Sequence, residues 1–222
     1  MRQALIFIGL LVCLGGHAQR TEYGQWYALS VGTKVAKGLN ASFKTQLRTG
    51  YDGLILSAWN HDLELTYKLT DRFRVEATYR LGNSYNLENW QWRHRYQLGF
   101  RIKESVGEWE VDWKTRAQWR PVGVGRETRD LSRSLTWRNR FTAERKLIKR
   151  TWLAASVEAF HVPQSESLAL ADLRARLKLK RKLDKRLYGS LGAMYQTETA
   201  SGDPVSEWVV QFSLQWEWKP KK

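Results

Sequence analysis

The sequence has 222 residues, with 37 Lys and Arg against 22 Asp and Glu, so its formal net charge is +15. Aromatic residues make up 13% and include 12 Trp, which excludes a disordered basic tail, because such tails lack the residues that build a core. Beyond the first residues, no window contains the roughly 18 consecutive apolar residues of a membrane-spanning helix. So large a basic excess is typical of proteins that bind nucleic acid or an anionic membrane surface.

Residues 1–18 have the pattern of an export signal. A basic start is followed by an apolar run of about ten residues, and the small residues Gly16 and Ala18 suit cleavage before Gln19. We therefore expect a signal peptide followed by a single mature domain at 19–222. Because an exported chain does not ordinarily meet the nucleic acid of the cell, we expect no nucleic-acid partner.

The rest of the chain alternates apolar and polar residues with period two, the pattern of strands that have one apolar face. About eleven segments show it, most of nine residues or more, and none reads as a helix. The predicted strands lie at 26–35, 39–47, 59–69, 73–81, 90–103, 109–119, 135–144, 151–161, 171–180, 187–195 and 208–218, with weaker alternation in 26–35 and 151–161.

Segment length favours a membrane barrel over a soluble sandwich. Sandwich strands average five or six residues, whereas a tilted strand needs about nine to eleven to cross a bilayer. Short connections also alternate with long polar ones, as in outer-membrane barrels. The prediction is an all-β fold, an antiparallel up-and-down transmembrane β-barrel of about 10–12 strands in the outer membrane of a Gram-negative cell. The alternative architecture is a secreted β-sandwich that acts as a binding module.

The number of strands stays open at this point, because eleven is odd and bacterial barrels normally have an even number. Ten would result if 26–35 were not a wall strand, and twelve if one strand had escaped detection.

Tryptophan positions predict two interfacial belts, since the indole ring is both large and amphipathic. One belt is predicted near the long loops, at Trp26, Trp59, Trp90, Trp92, Trp119, Trp137 and Trp208. The other is predicted near the short turns, at Trp109, Trp152, Trp216 and Trp218.

Several stretches resemble a known family. They include the turn at 34–38, the segment 65–69 with Tyr79-Arg80, the pair His94-Arg95, and the stretches 138–140 and 158–160. Together they resemble the family called domain of unknown function 2490, small outer-membrane barrels common in Bacteroidetes-type bacteria. The resemblance implies location and architecture, with no assigned activity and no catalytic residues.

If the apolar face meets lipid, the charged face lines the lumen, with about eighteen basic and about eleven acidic residues. The predicted lumen-lining arginines are Arg93, Arg95, Arg101, Arg116, Arg138, Arg140, Arg174 and Arg176. Two readings stay open: a closed, salt-bridged lumen with a structural role, or a narrow, porin-like pore that favours small anionic solutes. Other expected partners are outer-membrane lipid, lipopolysaccharide and, during insertion, the barrel assembly machinery.

An enzymatic role is the competing function. His161 and Ser165 beside one external loop resemble the histidine and serine of outer-membrane lipid hydrolases, but no spacing identifies an orienting acid. No metal-ligand cluster, Walker loop or dinucleotide motif occurs, so we expect no metal and no cofactor.

Overall fold

The computed structural model describes residues 20–50, 55–86, 89–121, 135–163, 167–199 and 205–219. The predicted signal peptide lies outside them. Within these ranges there is no helix long and apolar enough to cross a membrane.

Eleven strands form where the sequence alternates, because period-two alternation gives an extended chain one apolar and one polar face. They are 11 to 18 residues long, enough to cross a bilayer at a tilt. Their bounds are β1 Arg20–Ala36, β2 Leu39–Gly50, β3 Ile55–Lys68, β4 Phe73–Asn86, β5 Asn89–Val106, β6 Trp109–Trp119, β7 Leu135–Ile148, β8 Thr151–Pro163, β9 Leu168–Lys182, β10 Leu187–Glu198 and β11 Val205–Trp218.

The strands pair in sequence order and close into a single barrel. The predicted up-and-down barrel is therefore confirmed, and the secreted sandwich is excluded. The segment at 26–35 belongs to a full wall strand, β1, so the described residues form eleven strands, and not ten or twelve.

The closing pair departs from the antiparallel prediction. Each consecutive pair from β1 to β11 is antiparallel, whereas β1 and β11 pair in parallel over fourteen positions from Arg20↔Val205 to Thr33↔Trp218. An odd number of alternating strands leaves the first and last pointing the same way, so the seam has to be parallel.

The wall separates the two faces of each strand. On β3, the outward Leu63 is 49% exposed, whereas the inward Asp62 is 8% exposed. The exterior carries many exposed apolar side chains, a surface that water tolerates poorly and lipid accepts. The molecule therefore has the architecture of an outer-membrane barrel.

The parallel seam can be tested with a disulfide. Ala28 and Ser213 are partners across β1 and β11, and partnered strand residues lie at a separation that a disulfide can bridge. The double variant Ala28→Cys/Ser213→Cys is expected to cross-link on oxidation, visible as a shift in non-reducing gel migration of the folded protein.

The matched control pairs Ala28→Cys with Ser190→Cys on β10. Ser190 is itself a partner of Ser213, so it lies one strand further from Ala28. Two strand spacings are about 9.5 Å, beyond disulfide reach. Cross-linking of the control and not of the test pair would contradict the eleven-stranded closure.

Candidate functional site: the charged lumen

The eight predicted lumen arginines all lie in the inward phase of their strands. Arg116, Arg138 and Arg176 all bind the carboxylate of Glu158. Arg101 binds Glu76 and Asp112. The other four have no ion pair with a carboxylate of the described residues. The four without such a pair are Arg93, Arg95, Arg140 and Arg174.

The buried carboxylate of Glu158 on β8 holds the three-arginine cluster. Its Oε1 accepts hydrogen bonds from Arg116 at 2.9 Å and Arg138 at 2.8 Å, and its Oε2 accepts one from Arg176 at 3.2 Å. Glu158 is 1% exposed. The donors come from β6, β7 and β9, so this Glu158 cluster ties four neighbouring strands together across the inside of the wall.

Two smaller ion-pair groups occupy the lumen on β2 to β6. In one, Glu76 pairs with Lys114 and lies 3.9 Å from Arg101, which also binds Asp112. In the other, Asp62 accepts hydrogen bonds from Arg80, one of them at 2.7 Å, and lies 3.7 Å from Lys44. Much of the lumen charge is therefore paired, as burial of charge requires.

Three inward arginines lie over aromatic rings, and two of them, Arg48 and Arg174, have no ion pair with a carboxylate of the described residues. The guanidinium of Arg48 lies 3.9 Å from the ring centroid of Trp26, and that of Arg174 lies 4.2 Å from Phe160. Arg138 also lies over Phe160, at 4.5 Å. An aromatic face attracts a cation but does not neutralise it, so Arg48 and Arg174 are held in place with their charge intact.

Like charges meet where β4 and β5 pair. Arg80 and Arg95 are direct partners and both point inward. The charged side chains that act most strongly on Arg95 are Arg80, Arg120, Arg138 and Arg48. Like charges opposite each other destabilise a sheet. Asp62 offsets the charge of Arg80, whereas Arg95 has no ion pair with a carboxylate of the described residues.

We define the arginine group as Arg48, Arg80, Arg95 and Arg174, which come from β2, β4, β5 and β9. Arg80 is the strongest charged influence on both Arg48 and Arg95, and it also acts on Arg174. The neighbouring carboxylates are Asp62, which binds Arg80, and Glu158, Asp172 and Glu207, which act on Arg174. Because Glu158 is shared with Arg116, Arg138 and Arg176, and Asp62 with Lys44, the cations in this part of the lumen outnumber the carboxylates.

The lumen is filled by side chains in this arrangement. Ten of the eleven strands contribute an inward residue that is at most 8% exposed. They are Trp26, Gln46, Asp62, Glu76, Gln97, Gln118, Arg138, Glu158, Met194 and Val209. Trp26, Met194 and Val209 form an apolar cluster beside the seam between β1 and β11. The alternation does not predict this cluster, because it assigns polar residues to the inward face. Any passage past these residues is narrow.

Most of the predicted belt tryptophans point outward. Between 41% and 55% of the surface is exposed for Trp90, Trp92, Trp109, Trp119, Trp137, Trp208, Trp216 and Trp218. Trp59 is less exposed and lies edge-on to Trp92 at 5.2 Å.

Two tryptophans differ from the expectation. Trp26 is 6% exposed and lies inside under Arg48. Trp152 has the phase of Glu158 and pairs with Lys180, so it too lies on the lumen side of the wall. In both places consecutive residues are apolar, at 26–27 and at 152–155. The alternation of apolar and polar residues therefore does not show which of them face the lumen.

The histidines show no catalytic arrangement among the described residues. His61 stacks on Phe43 at 5.9 Å, and His94 makes a 2.8 Å hydrogen bond with the hydroxyl of Tyr79. His161 pairs with Trp137 in the wall and contacts no carboxylate of the described part of the chain. Ser165 lies outside the described residues. Within those residues there is no group of His, Cys, Asp or Glu that could hold a metal ion.

The Glu158 cluster generates a stability prediction. In Glu158→Gln, three guanidiniums lose their shared counter-charge while they stay buried, which is expected to reduce the free energy of unfolding by about 3–5 kcal/mol. The measurement is urea unfolding of the refolded barrel, followed by tryptophan fluorescence.

Glu108→Gln is the matched control. Glu108 also pairs with an arginine, Arg145, but its side chain is 74% exposed, so its loss is expected to change stability by about 0–1 kcal/mol. Equal effects of the two substitutions would contradict the role given to the Glu158 cluster.

Comparison with known proteins gives two solved structures and one family. The solved structures of a KdgM porin and of a "KdgM porin in complex with disordered oligogalacturonate" are similar, with 13% and 12% identity and TM-scores of 0.47 and 0.48. Each similarity covers 75% of this chain and 81% of the other. No curated protein matches the sequence significantly. The model of the family described as "Protein of unknown function (DUF2490)" matches residues 23–207, and the chain therefore belongs to that family.

Proposed function

We propose that this protein is a narrow outer-membrane pore that favours small anionic solutes, exported by the signal peptide at 1–18. The observation that carries the proposal is the arginine group, whose charge is not balanced because the carboxylates around it are shared with other lumen cations. A lumen of purely structural ion pairs would have no need for arginines placed against one another.

Arg48 and Arg174 are held by aromatic rings and not by ion pairs with carboxylates, so their charge stays available to a solute. A guanidinium bound to a carboxylate has its charge cancelled and its N–H groups occupied. Arg48 on Trp26 and Arg174 on Phe160 are instead oriented by a ring face, so their in-plane N–H groups can bind an anion. Charged side chains in a pore select ions in this way.

The crowded lumen makes conductance low. Gln118 is 0% and Glu158 1% exposed, so a solute that crosses has to pass side chains that water scarcely reaches. The same burial favours a second candidate function, a closed barrel with a structural role. A lipid-modifying hydrolase has no comparable support, because His161 lies in the wall without a carboxylate partner among the described residues.

The surroundings of the barrel follow from its surface. The outward tryptophans are proposed to form the interfacial belts, in contact with phospholipid on one side and lipopolysaccharide on the other. We also propose that the barrel assembly machinery inserts this wall and that the mature domain is 19–222.

No nucleic-acid role is proposed for the basic residues of β9. Those at 174, 176, 178 and 180 point toward the lumen, and the residues between them form an outward apolar face.

The proposal is tested by recording from planar bilayers with a potassium chloride gradient. We expect small, anion-selective conductance. A preference for cations would contradict the proposal, and the absence of any conductance in a correctly folded barrel would favour the closed structural role.

Selectivity is expected to depend on the arginine group. A unit charge about 10 Å from a passing ion contributes about 0.4 kcal/mol in a water-like medium. Because the charge acts on chloride and potassium in opposite directions, Arg95→Gln and Arg48→Gln are each expected to lower the chloride-to-potassium permeability ratio by about fourfold. Arg145→Gln is the control, because Arg145 lies outside the lumen in an exposed pair with Glu108. Unchanged selectivity in both lumen variants would contradict this assignment.

A further inference from the structure

A basic cleft lies at the short-turn end of the barrel, and neither the Glu158 cluster nor the arginine group lines it. The β7–β8 turn and the end of β9 enclose a cavity of about 630 Å³ lined by Lys149, Arg150, Arg181, Lys182 and Leu183. The backbone N–H of Lys182 donates to the carbonyl of Arg150 at 2.9 Å and so fixes the two segments against each other. The volume lies in the range of small-molecule sites.

The cleft is positive and carries no counter-charge of its own. Four cationic residues line it and no carboxylate does. None of the four forms an ion pair with another described residue. The nearest acidic residue in sequence, Asp184, contributes instead to a cavity beside Leu187 and Trp216.

The backbone at Arg150 is strained. Its φ of 64° lies in the left-handed region, where side chains other than glycine are disfavoured. The β1–β2 turn provides a direct comparison, because it also has two residues after a register shift, Lys37 and Gly38, and glycine takes the left-handed position with a φ of 78°. Arginine therefore stands where the equivalent turn uses glycine, and such strain is typical of functional positions.

Exposed apolar side chains border the cleft. Leu147, Ile148 and Leu183 are 50%, 66% and 50% exposed, and Leu179 precedes Arg181 by two residues on the lipid-facing phase of β9. The charged cleft therefore lies where the apolar wall ends, at the level of lipid head groups.

We propose that this cleft binds the phosphate head group of an anionic phospholipid. The cations contact the phosphate, and the neighbouring apolar side chains contact the first part of the acyl chains. Free inorganic phosphate offers the same oxyanion but no acyl chain, so the two sources can be distinguished by experiment.

The test is native mass spectrometry of the folded barrel in mild detergent, with phosphatidylglycerol and phosphatidylcholine of identical acyl chains. We expect preferential retention of phosphatidylglycerol. Arg150→Gly and Arg181→Gln are each expected to reduce its apparent affinity about fivefold, the effect of one basic residue at an anionic lipid surface. Lys37→Gln, in the equivalent turn at the same end, is the control and is expected to leave retention unchanged.

Arg150→Gly gives a second readout that a purely structural role would not produce. Because glycine adopts a left-handed φ without strain, this variant is expected to unfold at a higher urea concentration while it binds lipid more weakly. Wild-type retention by Arg150→Gly and Arg181→Gln, equal retention of the two lipids, or full displacement of phosphatidylglycerol by excess inorganic phosphate would each overturn the proposal.

Discussion

The interaction on which the interior depends is the contact of one buried carboxylate with three guanidiniums. A small barrel has to keep its polar faces inside, and charges removed from water are tolerated only when they are paired and hydrogen-bonded. Glu158 meets this requirement for Arg116, Arg138 and Arg176 together. Because its partners lie on three other strands, it also fixes the relative positions of β6 to β9. Loss of that carboxylate therefore acts on the lumen and on the wall together.

The remaining arginines show how a lumen can stay both ordered and charged. Arg48 and Arg174 are placed by aromatic rings, and Arg95 faces Arg80 across two paired strands. These arrangements keep the positive potential that carboxylates remove elsewhere in the lumen. The proposed anion preference and low conductance then have related origins, since the same close packing that orders the side chains leaves little room to pass.

The alternation of apolar and polar residues predicts most of the fold, because each strand of a barrel wall has one buried face and one exposed face. The predicted segment 109–119 coincides with β6, and 73–81 extends to Asn86 in β4. The inward phase of the lumen arginines follows from the same pattern. Alternation does not reveal which arginine meets which acid, since the partners of Glu158 lie 18 to 42 residues away in sequence. It also fails where both phases are apolar, as at Trp26 and Trp152, and it contains nothing about how the first and last strands meet.

The proposed anion pore requires lumen arginines whose charge is available to anions. Crystals of the folded barrel grown in sodium bromide test it most directly, because bromide is located by its anomalous scattering. We expect a bromide in the lumen in contact with members of the arginine group, at Arg95, Arg48 or Arg174. Bromide found only on the outer surface, with the lumen arginines bonded to protein groups alone, would contradict it.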